Sequence, residues 1–304
     1  MPKVIVFGSM NMDLSIDAPR MPAAGETLSG SGFLTNAGGK GANQAAASAR
    51  LGAATHMIAA VGADAFGCEL VAGLEAAGVG CGLVRRLEGV STGVAVIVRV
   101  AGENRIVLSA GANHALTADD VIADLRRVAE RGDVFLTQGE CDPAATEAAL
   151  RAAHDLGLYT VYNPAPARPA PDDLWASVDL VCLNETECQI VCGVLPSDDE
   201  TCLEAARLLR AKGAGAVAIT LGAEGSFGLG ADGVALRIPA ARPPEVVDTT
   251  GAGDTFIGGL VAGRLRGLSL EDSMVWGAAA AALTVSRLGA QQSIPTAEEV
   301  EAAL

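Results

Sequence analysis

The stretch Asp248-Thr-Thr-Gly251-Ala252-Gly253-Asp254-Thr-Phe256 leads into a helical run, Ile257–Arg266. A glycine-rich turn that opens a helix leaves backbone N–H groups unpaired at the positive end of the helix dipole, which makes an anion hole. Asp254 falls in the first turn, beside that hole. A phosphate bound there would face a carboxylate, which is repulsive unless the carboxylate works as a base on an incoming hydroxyl. Such a pairing suits phosphoryl transfer: the backbone of Gly251, Ala252 and Gly253 stabilises charge on the transferred group, and Asp254 takes the proton. The same spacing also fits an ordinary glycine turn in which Asp254 answers the helix dipole, and spacing alone leaves both readings open.

A second glycine cluster is Asn36-Ala-Gly38-Gly39-Lys40-Gly41-Ala42-Asn43-Gln44. It runs into a helix whose small face is Ala42, Ala45, Ala46 and Ala49, ending at Gly52. Small residues let the helix pack closely on a sheet, and the glycines leave room for a ligand against backbone, with Lys40 and Asn43 as donors. Asn11 and Asp13 follow the first strand and can reach the same space, since ligands in open α/β sheets lie beyond the carboxyl ends of strands. Their side chains suit sugar hydroxyls, each of which donates and accepts; as turn formers in glycine-rich loops they also need no ligand at all. Two nucleotide motifs fail. Gly251-Ala-Gly253 starts like G-x-G-x-x-G but has Phe256 at the third glycine position, and Gly39-Lys40-Gly41 lacks the Ser/Thr of a Walker A loop. His56, His114 and His154 are the only histidines, none near a nucleophile-elbow motif, so a hydrolytic triad is not expected.

The elements that must hold these residues are legible as short apolar runs alternating with helical patterns. Val4–Phe7, His56–Val61, Asp133–Gln138, Tyr159–Asn163, Leu180–Leu183 and Ala216–Leu221 read as strands buried on both faces. Between them, Asp142-Pro143 predicts a helix start. Thr117…Asp120, Ser269…Asp272 and Thr296…Glu299 resemble capping boxes. Phe66, Leu70, Leu74 and Ala77 share a helix face that Gly78 ends. The alternation predicts an α/β fold with a doubly wound, mostly parallel sheet flanked by helices. Alternating strands at Asp13–Asp17, Leu28–Leu34, Gly93–Val100 and Asn104–Ser109 predict a small lid sheet within about 13–36 and 91–112, with a hairpin turn at Ala101-Gly102-Glu103. The whole chain, 1–304, is expected to be one domain.

A net charge of −15 and the absence of any Lys/Arg block argue against nucleic acid as partner. The longest uncharged apolar run, Met274–Val285, is too short to cross a bilayer, and the amino-terminal apolar run ends at Asn11 and Asp13 as a buried strand would. Seven cysteines without framework spacing, Cys188 and Cys192 among them, read as buried, reduced thiols in a cytoplasmic protein.

Nine motifs in order resemble those of the ribokinase, or PfkB, family of carbohydrate kinases. They are Gly8-Ser-Met-Asn-Met-Asp13, Gly38–Gln44, Ser91-Thr-Gly-Val-Ala95, Gly111-Ala-Asn113, Asn163-Pro-Ala-Pro-Ala-Arg168, Asn184-Glu-Thr-Glu187, Thr220-Leu-Gly222, Asp248…Asp254 and Gly289-Ala-Gln291. The resemblance spans nearly the whole chain and implies an ATP-dependent sugar kinase, closest to those that phosphorylate D-ribose at O5, with Asp254 as base. Deoxyribose, another small sugar or a nucleoside are the alternative acceptors, and a non-catalytic sugar-binding regulator the alternative class; the intact Asp254, Gly251 and Gly253 speak against the last. The resemblance further implies that Asn11, Asp13, Gly39, Lys40, Gly41, Ala42, Asn43 and Glu140 hold the sugar. Asn184, Thr220, Leu221, Gly222, Ala223, Glu224, Gly225, Gly253 and Asp254 would hold ATP, and Glu187 would reach Mg²⁺ through water. Asp248, Thr250, Thr284, Arg287, Gly289 and Ser293 would cradle K⁺, and two lids would clasp into a homodimer. Ala278 stands where relatives place a longer polar residue near the nucleotide base, and the loop Glu224–Arg237 looks slightly long.

Overall fold

The structure, a computed structural model, describes residues 2–101 and 103–304. Its strands are β1 (Val4–Phe7), β2 (Asn11–Asp17), β3 (Ser31–Gly38), β4 (Thr55–Gly62), β5 (Val79–Leu87), β6 (Gly93–Val100), β7 (Glu103–Ser109), β8 (Val134–Gln138), β9 (Tyr159–Asn163), β10 (Leu180–Asn184), β11 (Ala216–Thr220), β12 (Ser226–Leu229) and β13 (Ala235–Ile238). The α-helices are α1 (Lys40–Arg50), α2 (Ala65–Ala76), α3 (Ala118–Val128), α4 (Pro143–Asp155), α5 (Glu185–Cys192), α6 (Asp199–Ala211), α7 (Ala252–Leu265), α8 (Leu270–Val285) and α9 (Ala297–Glu301).

The large sheet has the order β13-β12-β11-β10-β9-β8-β1-β4-β5. From β11 to β5 every pair is parallel; only β11–β12 and β12–β13 are antiparallel. This is the predicted doubly wound sheet. β1 shows why it forms: Val4 and Val6 enter the core on one face, which α1, α7 and α8 cover, while Ile5 and Phe7 enter the core on the other, beneath α3, α4 and α6. Each is at most 1% exposed, and burying such a side chain contributes about 1.5–3 kcal/mol. The chain builds β4 and β5 on one side of β1 and β8 to β13 on the other, so strand order reverses beside β1, where α/β sheets bind ligands.

Three elements differ from expectation. The segment Glu224–Arg237, read as a loop, carries the antiparallel pair β12–β13. β5 escaped the pattern because two glycines and two arginines break its apolar run, VGCGLVRRL. The predicted strand at Leu28–Leu34 begins later, at Ser31, and runs on to Gly38. The Asp142, Thr117 and Thr296 caps form as predicted, the last two with both reciprocal bonds.

The second sheet, β3-β2-β6-β7, is the predicted small sheet. β6 and β7 pair antiparallel from Val94↔Ser109 to Val100↔Glu103; the predicted turn residue Gly102 lies outside the described residues. β2 starts four residues after β1, so this sheet is tethered directly to the carboxyl end of the central strand.

Candidate active site

Strand ends converge beyond the β1 reversal. Ser9 to Asp13 follow β1, Gln138 and Glu140 close β8, Asn163 closes β9, Asn184 closes β10 and Thr220 closes β11. α1 and α7 aim their amino termini into the same space. Gly251, the residue before α7, has φ 76°, a left-handed conformation that favours glycine, and supplies no side-chain cap. The first N–H groups of a helix have no partner within it. The Ala252 N–H reaches the Thr249 carbonyl at 3.3 Å, while Gly251, Gly253 and Asp254 line a cavity of about 240 Å³ with Lys40, Asn184, Glu187 and Thr220.

Asp254 is fixed by two amides. Asn43 Nδ2 donates to its Oδ2 at 2.9 Å and Gln44 Nε2 to its Oδ1 at 2.9 Å. Gln291 in turn donates to Asn43 Oδ1 at 3.2 Å. α1 can bring both amides here because Gly41 lets it lie against β1's end: a Cβ there would meet the Gly8 backbone at 2.5 Å.

On the lid side, Asn11 and Asp13 project from the same face of β2. Asn113 donates to Asn11 Oδ1 at 2.7 Å and accepts from the Met10 N–H at 2.9 Å, which locks the buried Asn11 amide. Glu140 Oε2 accepts from Ser9 Oγ at 2.5 Å, from the Lys40 N–H at 3.1 Å and from Asn11 Nδ2 at 3.5 Å. Glu140 and Ser9 therefore cap α1: Ser9 Oγ accepts from the Gly41 N–H and the Ser9 carbonyl from the Ala42 N–H. Unlike α7, the start of α1 offers these N–H groups to the protein itself. Gly38 leaves room for the Asp13 carboxylate, with which a Cβ there would collide, and Gly39 lets the chain lie against the backbone of Ser9, Met10 and Asn11.

The charges are coupled. Burial, with the carboxylates of Glu140 and Asp254, pushes Asp13 up to about 7. Burial works to lower Lys40, but Asp254, Glu140 and Glu187 outweigh it and hold the ammonium more firmly protonated than usual. Burial raises Glu187 despite the Asn184 N–H and the Lys40 charge. Asn184 and Glu187 form a reciprocal cap of α5: Asn184 Oδ1 accepts from the Glu187 N–H at 2.8 Å, and Glu187 Oε2 from the Asn184 N–H at 2.9 Å. Thr220 donates to the Leu183 carbonyl at 3.3 Å, and Leu221 to Gly225 form the turn into β12, with Gly222, Ala223 and Glu224 as one 3₁₀ turn. Ala278 is half-buried on α8.

The residues around Asp248 are tied to one another. Asp248 Oδ1 accepts from the Thr250 N–H at 2.9 Å and hydroxyl at 2.6 Å, and Oδ2 from the Gly289 N–H at 3.0 Å. Burial works to raise this carboxyl, yet those bonds outweigh it and hold the group below its ordinary range. The Thr284 hydroxyl lies 3.1 Å from both the Thr255 hydroxyl and the Ala280 carbonyl. Ser293 donates to the Ala290 carbonyl, and Arg287 turns away to Glu299 at 2.6 Å. The histidines lie outside all of this. Of the cysteines, five are buried, Cys68 is exposed and Cys192 half-buried, donating to the Cys188 carbonyl.

Sequence reading missed Ser9, Asn113, Gln138, Asn163 and Gln291 as site residues. Gln44, like Ser9, Asn113, Asn163 and Gln291, stands in a family motif without a role attached to it. Ser9, Gln138 and Asn163 share a signal, a polar residue at the carboxyl end of a buried strand or in the turn after it, where no outward face needs one; Asn113 and Gln291 carry none.

Proteins of known kind resemble this chain along nearly their whole length. The family model described as pfkB family carbohydrate kinase matches residues 1–297. A ribokinase of Haemophilus influenzae is 39% identical over 295 residues, covering 97% of this chain and 95% of the relative. A ribokinase of Mus musculus is 37% identical, covering 99% and 94%. Among solved structures, Arabidopsis thaliana ribokinase complexed with ribose and ATP superposes with a TM-score of 0.92 at 31% identity, covering 99% of this chain and 98% of that one. On that extent of likeness, the chain belongs to the pfkB family of carbohydrate kinases.

Proposed function

We propose that this chain is an ATP-dependent ribose kinase, converting D-ribose and ATP to D-ribose 5-phosphate and ADP. One observation carries the reading: Asp254 stands at the uncapped start of α7, in one cavity with Asn184, Glu187 and Thr220, and acts electrostatically on Asp13 of the lid side. Relatives of 37–39% identity are ribokinases, and a superposable structure holds ribose and ATP.

In this reading Asn11, Asp13, Asn43 and Glu140 bind sugar hydroxyls, with Gly39 to Ala42 as the close floor and Lys40 as the cation. Asp254 takes the O5 proton as O5 bonds to the γ-phosphorus and the bridging bond to ADP breaks; the N–H groups at the start of α7 stabilise the transferring group. Asn184, Thr220 to Gly225 and Gly253 line the path of the nucleotide. Magnesium supplies neutralising charge at the phosphates when bound. Glu187 fits holding it through water, because the Asn184 N–H takes only one carboxylate oxygen. The small sheet acts as a lid of a single domain, closing over the sugar to exclude water. Unpaired cysteines suit the reducing cytoplasm. The test is ADP release across pentoses, 2-deoxyribose, hexoses and nucleosides: ribose is expected to give the highest kcat/KM, and a higher value for a nucleoside would overturn the assignment.

Potassium fits the loop through hard oxygens only. A carboxylate has about four lone-pair directions, and three protein donors take part of that capacity at Asp248; Arg287 and Gly289 could offer carbonyls alone. Bound there, the ion would steady the turn before α7 without touching substrate. Activity is expected to be higher in K⁺ than in Na⁺ or Tris at matched ionic strength, through kcat, and Asp248→Ala is expected to erase the difference. Equal rates in protein stripped of K⁺ would leave Asp248 as a cap of the turn.

The lid exposes apolar side chains on both faces, Val107 at 73% beside Val96 on one and Ile106 at 58% with Leu34 and Leu108 on the other, and Phe33 of β3 is 61% exposed. Apolar surface so concentrated marks an interface, and a second copy of the chain is the proposed occupant. Val96→Arg with Val107→Arg is expected to give monomers with weakened ribose binding. A wild type that sediments as a monomer at micromolar concentration would contradict the pairing.

A further inference from the structure

Behind Asp254 lies a chain of buried amides. Gln138 is 1% exposed, Gln44 0% and Asn163 4%. Gln138 Nε2 donates to Gln44 Oε1 at 2.7 Å. Both protons of the Gln44 NH₂ group are then used, one on Asp254 Oδ1 at 2.9 Å and one on Asn163 Oδ1 at 3.0 Å. Asn163 Nδ2 donates to the Cys182 carbonyl at 2.9 Å.

A buried amide has two orientations that differ by exchanging its oxygen and nitrogen. Here each is set by the next. The Cys182 carbonyl, a backbone acceptor with no alternative form, fixes Asn163 with its oxygen toward Gln44. Gln138 presents a donor to Gln44 from the other side. Gln44 can satisfy both neighbours only with its NH₂ toward Asp254. Gln138 Oε1 is itself buried without a hydrogen-bond partner among the described residues, packed where a Cβ on Gly8 would collide with it. A buried polar group left unpaired is unfavourable, and an apolar side chain at 138 would avoid it.

We propose that Gln138 and Gln44 are positioning residues for the transfer step: Asn163 and Asp254 take the NH₂ of Gln44, and Gln138, which does not touch Asp254, fastens the oxygen end of the same amide, so that Gln44 holds the base in place. This rests on Asp254 acting as that base. Were Gln44 turned over, its oxygen would oppose the carboxylate, and Asp254 would swing from the line it must hold toward the sugar hydroxyl. Misplacing a catalytic group by about 1 Å can cost roughly 100-fold.

The experiment is a double-mutant cycle in the full chain with Gln138→Met and Gln44→Met, reading kcat, both KM values and melting temperature. Gln138→Met keeps the length and removes the donor to Gln44 Oε1, whereas a glutamate buried against that amide oxygen would take up a proton and donate the same bond. Gln138→Met is expected to lower kcat about 10–100-fold, with KM for ribose and ATP little changed, and to have no further effect in the Gln44→Met background. A wild-type kcat in folded Gln138→Met, or equal losses in both backgrounds, would overturn the proposal. Should Gln138→Met not fold, Gln138→Leu carries the same cycle, and the same two outcomes overturn the proposal there too. Asp254→Asn measured alongside separates the failures. Near-normal activity in that variant would sink the base itself, whereas an inactive Asp254→Asn beside a fully active Gln138→Met would sink only the relay.

Discussion

Asp254→Asn is expected to lower kcat by about 10²–10⁴-fold, the usual worth of a positioned base, while ATP binding is retained. The cavity around Asp254 and the backbone of Gly251 and Gly253 survive the change, so nucleotide contacts persist. The proton acceptor does not. Asn43 and Gln44 both donate to the carboxylate, so an asparagine would set its own NH₂ against one of them. Asp254→Ala, which introduces no new donor, is therefore the companion variant and is expected to lose a similar factor. Rapid-quench kinetics for kcat and calorimetry for ATP check this; a kcat near wild type in either variant would contradict the role.

Asp13→Ala is expected to weaken ribose binding with little change for ATP. Taking a hydrogen-bond partner out of a closed site costs about 1–3 kcal/mol, roughly 5- to 150-fold in affinity. Asp13 also makes a prediction about pH. Its carboxyl stands at about 7 in the fold against 3.8 unperturbed, through burial and the charges of Glu140 and Asp254. The folded protein therefore holds this proton more tightly than the unfolded chain, and the group's contribution to stability is full below the unperturbed value and lost as pH rises through about 7. Melting temperatures of the sugar-free protein are expected to show that loss, and Asp13→Asn, which cannot ionise, is expected to remove it. Unchanged ribose affinity by calorimetry in Asp13→Ala, or identical pH dependence in wild type and Asp13→Asn, would reduce Asp13 to a strand residue.

What could be read in advance followed from how the residues are buried. β1, β8, β9, β10 and β11 are apolar on both faces and so announce themselves as bare runs. The turn at Gly251 and the reach of Asn11 and Asp13 are consequences of local spacing. β12 and β13 were hidden because four-residue antiparallel edge strands around glycine look like loop. The amide chain was illegible for another reason. Gln138 lies 94 residues from Gln44, and Gln44 lies 210 from Asp254; topology brings them together, and no periodicity marks a polar residue at a strand's end. Local spacing was also silent on Glu140, which only the family resemblance brought in. Nothing near it in sequence indicates a helix to cap, yet it accepts from the start of α1, 100 residues away.

Transfer of the terminal phosphoryl group of ATP to O5 of ribose is the step on which the roles of Asp254 and Asp13 depend. Its most direct test is to incubate the purified protein with Mg²⁺, ATP and either ribose or 5-deoxyribose, and to follow ADP and sugar phosphate together by ³¹P NMR. Ribose 5-phosphate is expected in step with ADP, with no sugar-dependent ADP from 5-deoxyribose. Phosphate on another hydroxyl, or ADP formed at the same rate without ribose, would contradict it.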